Sequence, residues 1–410
     1  MAHRYRLDPT AAQEVVLHQH CGEARFVWNL ALEQFKQWHP GRRSSPRPAE
    51  RFRQLAEARR ETWLGNGSSS VQQQALRDFD RALQNWHKGS HRRPRWRKRG
   101  QSEGFCVRDV RVRHLNKKWS AIQVAKAGRI RFRVSRPLPA ESGMARITLD
   151  GAGRWHVSFP APQAPVDREP TGSRVGIDRG VTTTLAYSDG TFLQAPQWSQ
   201  RRARRLTRLQ RQMARQRKGS NRRGRTKTAI AKLHQRQRDR LKNWTEKQTT
   251  KLVRTHDLIV VEALEIRNMV RRPAPKPDGM GGYEHNGARA KAGLNRGIHR
   301  QGWGQWGRRL REKAEASGVT AIETPTHFTS QTCRACGVIA TESRESQAAF
   351  HCVACGHQNH ADRNAAENIL ARGLAFPALA QTPGPGACRP SAGARRSRRR
   401  GAAGTPGGLG

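Results

Sequence analysis

Cys333, Cys336, Cys352 and Cys355 form two CxxC pairs separated by fifteen residues, within TCRACG…FHCVACGHQNHADRNAAENIL. Two CxxC turns at this spacing supply four thiolates to a tetrahedral zinc ion, each at about 2.3 Å. A glycine follows each pair, Gly337 and Gly356, where a knuckle turn tolerates it well. With sulfur in all four positions no site stays open for water, so such a zinc is structural and reaction chemistry must lie elsewhere. His351, His357 and His360 are nearby substitutes for a ligand, but read more simply as surface histidines.

Three acids are the other candidates. Asp178 sits in RVGIDRG (174–180), a short apolar strand, and Glu262 ends the apolar run of DLIVVEAL (257–264). Asp362 follows Cys355 by seven residues and heads a helix. Carboxylate oxygens are the ligands Mg²⁺ prefers. Two such ions about 3.5–4 Å apart can clamp a scissile phosphate, one activating water and the other steadying the leaving oxygen. Glu265 is the rival to Glu262 and is less well placed, being past the strand end. Asp150, Asp167, Asp189, Glu323 and Glu367 fall in turns, linkers or expected surface positions.

The rest of the chain says what these groups act on. Its 410 residues carry 78 Lys and Arg against 31 Asp and Glu, a formal charge of +47. The common cellular polyanion able to neutralise this is nucleic acid. No run of eighteen apolar residues predicts a membrane span, and MAHRYRLDPT lacks the apolar core of a signal peptide. Cys21, Cys106 and Cys388 are scattered, which suits a metal site in a reducing cytosol better than a disulfide framework.

The elements that would position the site follow from periodicity. Helices are predicted over 10–38, 49–64 and 70–88, the last with Leu76, Phe79, Leu83 and Trp86 on one face. HRRPRWRKRG (91–100) interleaves Arg with Trp96, as a phosphate-holding segment or an exposed linker would. From 105 to 160 the period changes to two, predicting antiparallel strands, a hairpin at DGAG (150–153) and a small β-barrel or sheet. After a Pro-rich linker (161–170), Asp178 and two strands joined at 189–190 give the opening of an RNase H-like fold. Residues 198–255 predict two basic helices broken at 218–225; between 201 and 240 one acid, Asp239, faces seventeen Lys and Arg. A non-periodic loop spans 271–293, a helix 294–317, a strand 319–324 and a helix 362–372. The tail from 373, with ARRSRRRG (394–401), is predicted to be disordered.

Together GIDRGVTTTLAYSDG, LIVVEALEIRNM, TSQTCRACG and CGHQNHADRNAAENILARG resemble the split RuvC nuclease of TnpB proteins, which bacterial insertion sequences encode and which are compact relatives of type V CRISPR effectors. The resemblance implies an α+β multidomain chain. Residues 1–9 and 105–165 would be a β-barrel wedge, 10–104 a helical recognition insert, and 171–372 the RuvC domain with a zinc ribbon inserted at 325–360. Asp178, Glu262 and Asp362 would be the catalytic Mg²⁺ ligands, and the four cysteines the zinc ligands. The implied activity is cleavage of double-stranded DNA beside a short motif, directed by a guide RNA from the transposon end. A monomer in the bacterial cytoplasm, associated with the nucleoid, is the expectation. Many relatives have Arg before the last acid where this chain has Ala361; the change touches a neighbour and not a ligand, so activity is still expected. Three alternatives share these residues: a small type V CRISPR effector, an RNA-independent transposase or resolvase, and a non-cleaving nucleic-acid-binding regulator. The zinc is expected to fix the entry to the last helix, so that Asp362 meets Asp178 and Glu262.

Overall fold

The computed structural model describes residues 2–37, 41, 46–139 and 143–375. Most of the expected tail, with Cys388 and the basic run 394–401, lies outside the described residues. Among the described residues no helix is long and apolar enough to cross a membrane.

The first half of the chain builds one core from a sheet and three helices. Strand β1 (Ala2–Asp8) leads into α1 (Ala11–Lys36), whose start is set by a capping box in which Thr10 and Gln13 satisfy each other's backbone N–H. Helix α2 (Pro48–Glu61) begins on a proline, and a 3-10 turn (Trp63–Asn66) joins it to α3 (Ser69–His87). Val71, Ala75, Leu76, Phe79 and Leu83 of α3 are buried, the stripe its periodicity requires. Strands β2 (Gly104–Arg108), β3 (Val112–Asn116), β4 (Trp119–Val124), β5 (Gly128–Arg133), β6 (Met144–Leu149) and β7 (Trp155–Pro160) complete the unit. Tyr5, Phe132, Trp155 and Phe159 lie at the centre of its core.

Of the barrel or sheet that the alternation allowed, the described residues form an open sheet and not the closed barrel that the resemblance implied for the wedge. Its order is β2-β6-β7-β1-β5-β4-β3, and among the described residues no ladder joins the outer strands β2 and β3. Polarity explains this: Val112 is half-buried and the next four residues of β3 are exposed, so β3 has no apolar face to seal against β2. Strand β1 sits at the middle, its first five residues paired with β7 and its last two with β5.

The second half forms a five-stranded sheet of order β10-β9-β8-β11-β12. In chain order its parts are β8 (Arg174–Asp178), β9 (Leu185–Tyr187), β10 (Phe192–Leu193), α4 (Gln200–Arg215), α5 (Asn221–Thr255), β11 (Leu258–Glu262), the one-turn α6 (Ile266–Met269), α7 (Ala288–Gln301), α8 (Trp303–Ala316) and β12 (Thr320–Thr324). β8, β11 and β12 are parallel, while β9 and β10 run antiparallel. Three short hairpin-linked strands followed by parallel crossovers are what the RNase H-like expectation required. Two strands of the zinc-ribbon segment, β13 (Ala349–His351) and β14 (Gln358–His360), then lead into α9 (Ala361–Ala375).

Three boundaries differ from expectation. The helix expected over 294–317 starts at Ala288 and is two helices, because Gly302 adopts φ +70° and breaks it. The break between the basic helices is shorter than expected: Ser220 caps α5 by accepting from the Arg223 N–H, so the helix resumes inside KGSNRRGR. Helix α9 continues past 372, and Gly373 packs on Val260 rather than opening a tail.

Candidate metal centre and carboxylate site

Strand alternation decides where the acids go. Val175 and Ile177 of β8, with Ile259 and Val261 of β11, belong to the core under α5 and α8. Residues one step on in register, Gly176, Asp178, Val260 and Glu262, therefore face the other side of the sheet. Helix α9 lies on that side and comes close: a methyl group at Gly176 would overlap the Ala366 carbonyl oxygen, and one at Gly373 would overlap the Val260 side chain. β8 and β11 pair in parallel with Val261 opposite Ile177, so Asp178 and Glu262 end adjacent strands at the same level. Asp362 joins them from the first turn of α9. The three expected acids are thus brought to one place, while Glu265 is exposed at the start of α6.

The electrostatics are those of crowded carboxylates. Burial, then the charges of Glu262 and Asp362, push the Asp178 carboxyl up to about 7. Burial also raises Glu262, offset by a hydrogen bond from Thr329 and by Arg179 and Arg372. Thr329 Oγ1 donates to Glu262 Oε1 at 2.6 Å, and the Arg179 guanidinium donates to the Glu262 carbonyl. Arg344, from the ribbon, brings Nη2 to 3.4 Å from Asp362 Oδ1. Hard oxygen donors whose charges repel one another fit a divalent cation such as Mg²⁺.

The cysteines meet as their spacing predicts. Their four Sγ atoms lie within 4.8 Å of one another, the one such group of ligand atoms among the described residues. Cys333 and Cys355 sulfurs are 3.7 Å apart, Cys336 and Cys352 sulfurs 3.6 Å. A tetrahedron with Zn–S of about 2.3 Å has edges of about 3.8 Å, so the cage fits zinc. Gly337 and Gly356 take φ +76° and +71°, the left-handed turns expected of the knuckles. The histidines do other work: His360 Nδ1 accepts from the Asp362 N–H at 3.2 Å, capping α9, and His351 meets Glu345. Ala361 is fully buried with Cys333, Phe350 and Cys352, which leaves no room for a long side chain before Asp362.

Two asparagines of α9 tie the ribbon to the carboxylates. Asn364 donates to the Thr332 carbonyl and accepts from the Arg334 N–H; Asn368 donates to the carbonyls of Thr329 and Thr332. Sequence reasoning missed Thr329, Arg344, Asn364 and Asn368. Their one signal was the NAAEN spacing, which puts both asparagines on one helix face.

The basic segments lie on the surface. Helix α4 has no buried residue; Leu206, Leu209 and Met213 are half-buried toward α5. A hollow of about 890 Å³ at the α4–α5 elbow is lined by Arg205, Arg225, Lys232 and Arg236. In 91–100, Arg97 stacks 3.7 Å over Trp28 and bonds Asn29 through its backbone, while Trp96 stays partly exposed beneath Lys36.

Comparison with known proteins adds identity to this geometry. Family models described as "Probable transposase", "Cas12f1-like, TNB domain" and "Helix-turn-helix domain" match residues 158–272, 303–369 and 1–43. The last range holds β1 and the single helix α1 among its described residues. The chain is 33% identical over 380 residues to "Putative RNA-guided DNA endonuclease InsQ" of Escherichia coli K12, covering 91% of this chain and 92% of that protein. It is 29% identical over 380 residues to a Streptomyces pristinaespiralis protein of the same description, covering 91% and 89%. Among solved structures, Cas12f1 in complex with sgRNA and target DNA superposes with a TM-score of 0.51 at 12% identity, over 87% of this chain and 82% of that one, a likeness of fold.

Proposed function

The chain belongs to the TnpB family of insertion-sequence proteins, and from that premise we propose that it is an RNA-guided DNA endonuclease that cuts with Asp178, Glu262 and Asp362. The observation that carries this is the delivery of three acids, Glu262 and Asp362 buried and Asp178 half-buried, from two parallel strand ends and a helix start, to one corner of the sheet. Carboxyl ends of parallel strands are where such sheets place their ligands.

These three residues would hold Mg²⁺, which when bound activates water for attack on phosphorus and stabilises the leaving oxygen. The chain's own part is orientation. Thr329 fixes the Glu262 carboxylate, and Arg179 fixes the end of its strand. Arg344 sets a positive charge at the rim beside Asp362. The four cysteines would hold zinc, which supplies folding energy to the ribbon and takes no part in the reaction.

Guide pairing would read most of the target sequence, with the protein holding the heteroduplex by its backbone. The open sheet with β1 would serve as the wedge and α1–α3 as the recognition insert, reading the short flanking motif. The surface cations of α4 and α5 suit an RNA or DNA backbone. The guide would come from the transposon end.

The test is plasmid cleavage in Mg²⁺ by protein co-expressed with its native flanking DNA, against targets with randomised flanks, beside Asp178→Ala. Cutting by the wild type alone, dependent on co-purified RNA and next to one enriched motif, is the expected result. No cutting with RNA still bound would leave a guided binder. No RNA would leave an unguided recombinase or regulator.

A further inference from the structure

Residues 325–332, between β12 and the first knuckle, are held from three sides. Arg372 Nη1 donates to the carbonyls of Pro325 (3.2 Å) and His327 (2.5 Å). Asn368 Nδ2 donates to those of Thr329 (3.0 Å) and Thr332 (2.7 Å). Thr329 Oγ1 reaches Glu262. The carbonyl of Phe328 accepts from the N–H groups of Gln331 and Thr332 and from the Thr332 hydroxyl.

Phe328, inside this pinned turn, has φ +57°. That region suits glycine or asparagine; a bulky residue enters it against a steric penalty. Burial of the ring in the core would offset that penalty, but the residue is 55% exposed. Neither backbone preference nor packing accounts for a phenylalanine here. Its ring is held in solvent one residue from the hydroxyl that orients Glu262, with Arg372 gripping the preceding carbonyl.

An exposed flat ring, one residue along the chain from the Thr329 hydroxyl that holds Glu262, fits an unpaired nucleobase of a strand drawn to these acids, since a base face is free only in a single strand. We propose that Phe328 is a stacking platform for one unpaired base of the DNA strand at the point of cleavage. This rests on the reading of Asp178, Glu262 and Asp362 as the cutting site. Stacking of this kind tolerates any base, so the platform would set the position of the strand and not its sequence.

The test uses guide-loaded protein carrying Asp178→Ala, so that the strand stays intact, and target DNA with 2-aminopurine at successive positions of either strand. The parent should quench fluorescence strongly at one position near the cut. Phe328→Gly should lose that quench and bind the unpaired strand about 5- to 150-fold more weakly, the range of one base–aromatic stack. Its melting temperature should be no lower than the parent's, since glycine favours this φ. Phe328→Trp should keep the quench. Undiminished quenching by Phe328→Gly at every position would overturn the inference. So would loss of quench in both variants together with lower melting temperatures, which would mark the ring as structural or as cover for a protein partner. The quench is read without cleavage, so the two failures are distinct: quenching by Phe328 with no cutting by the wild type overturns the proposed function and the cleavage-point placement, whereas cutting by the wild type with undiminished quenching by Phe328→Gly overturns this inference alone.

Discussion

Asp178 is half-buried within reach of the charges of two other acids, and its carboxyl is held near 7 where an unfolded aspartate would sit near 4. In metal-free protein the folded state therefore keeps a proton that the unfolded chain releases. The stability this contributes is complete below about pH 4 and is lost as the pH rises through 7. Asp178→Asn removes the repulsion. In metal-free buffer at pH 8 the variant should be more stable by roughly 1–4 kcal/mol, with the gap closing toward pH 4. Mg²⁺ should raise the melting temperature of the wild type and leave the variant unmoved. Coincident melting curves at pH 8 would contradict the crowded-carboxylate account. Asp178 and Glu262 were legible in the sequence because each ends an apolar stretch, where a charge has to be explained, and Asp362 because it heads a helix close behind the cysteines. Thr329, Arg344, Asn364 and Asn368 were not, being polar residues in polar segments. The bond from Thr329 to Glu262 spans 67 residues, and nothing local announces it.

The ribbon and α9 act as one element on the site. Asn364 and Asn368 grip the segment entering the first knuckle, and the same segment carries Thr329 to Glu262. Zinc would thus order Glu262 as well as Asp362. Cys333→Ser, or chelation, should lower zinc content and reduce cleavage at least about 10-fold while RNA affinity stays within about 2-fold, the ribbon having lost most of its folding energy. Zinc-free protein that cuts at the wild-type rate would sink this coupling. Element types were largely readable from period: the strands between 104 and 160 fall in the alternating stretch, though the run 107–115 is divided between β2 and β3, and the helices α1 and α3 stand where apolar stripes put them. Two features were hidden. The apolar residues Ile298, Trp303, Trp306, Leu310 and Ala314 suggest one continuous helix, and the break at Gly302 is written only in its positive φ. Barrel closure depends on whether β2 meets β3, a long-range pairing that alternation along either strand does not encode.

At the scale of the whole molecule charge dominates partner binding. With +47 to neutralise, binding of any RNA should be driven by release of counterions. If 6–10 phosphate contacts form, affinity for an unrelated RNA should fall about 10³- to 10⁵-fold between 50 and 200 mM salt, as filter binding would measure. A salt-independent affinity would mean that the exposed cations of α4 and α5 do not touch the backbone. The partner class was readable from composition, whereas the individual contacts were not, because so many Lys and Arg are equivalent in a sequence. The order of synthesis gives the central position of β1 a further meaning. Residues 2–8 leave the ribosome well before their strand partners, residues 131–132 and 156–160. At 5–20 residues per second that strand waits roughly 8–30 s for its second neighbour. The sheet cannot close around its middle until then, so a change that weakens the pairing of residues 2–8 acts on its last and most central assembly step.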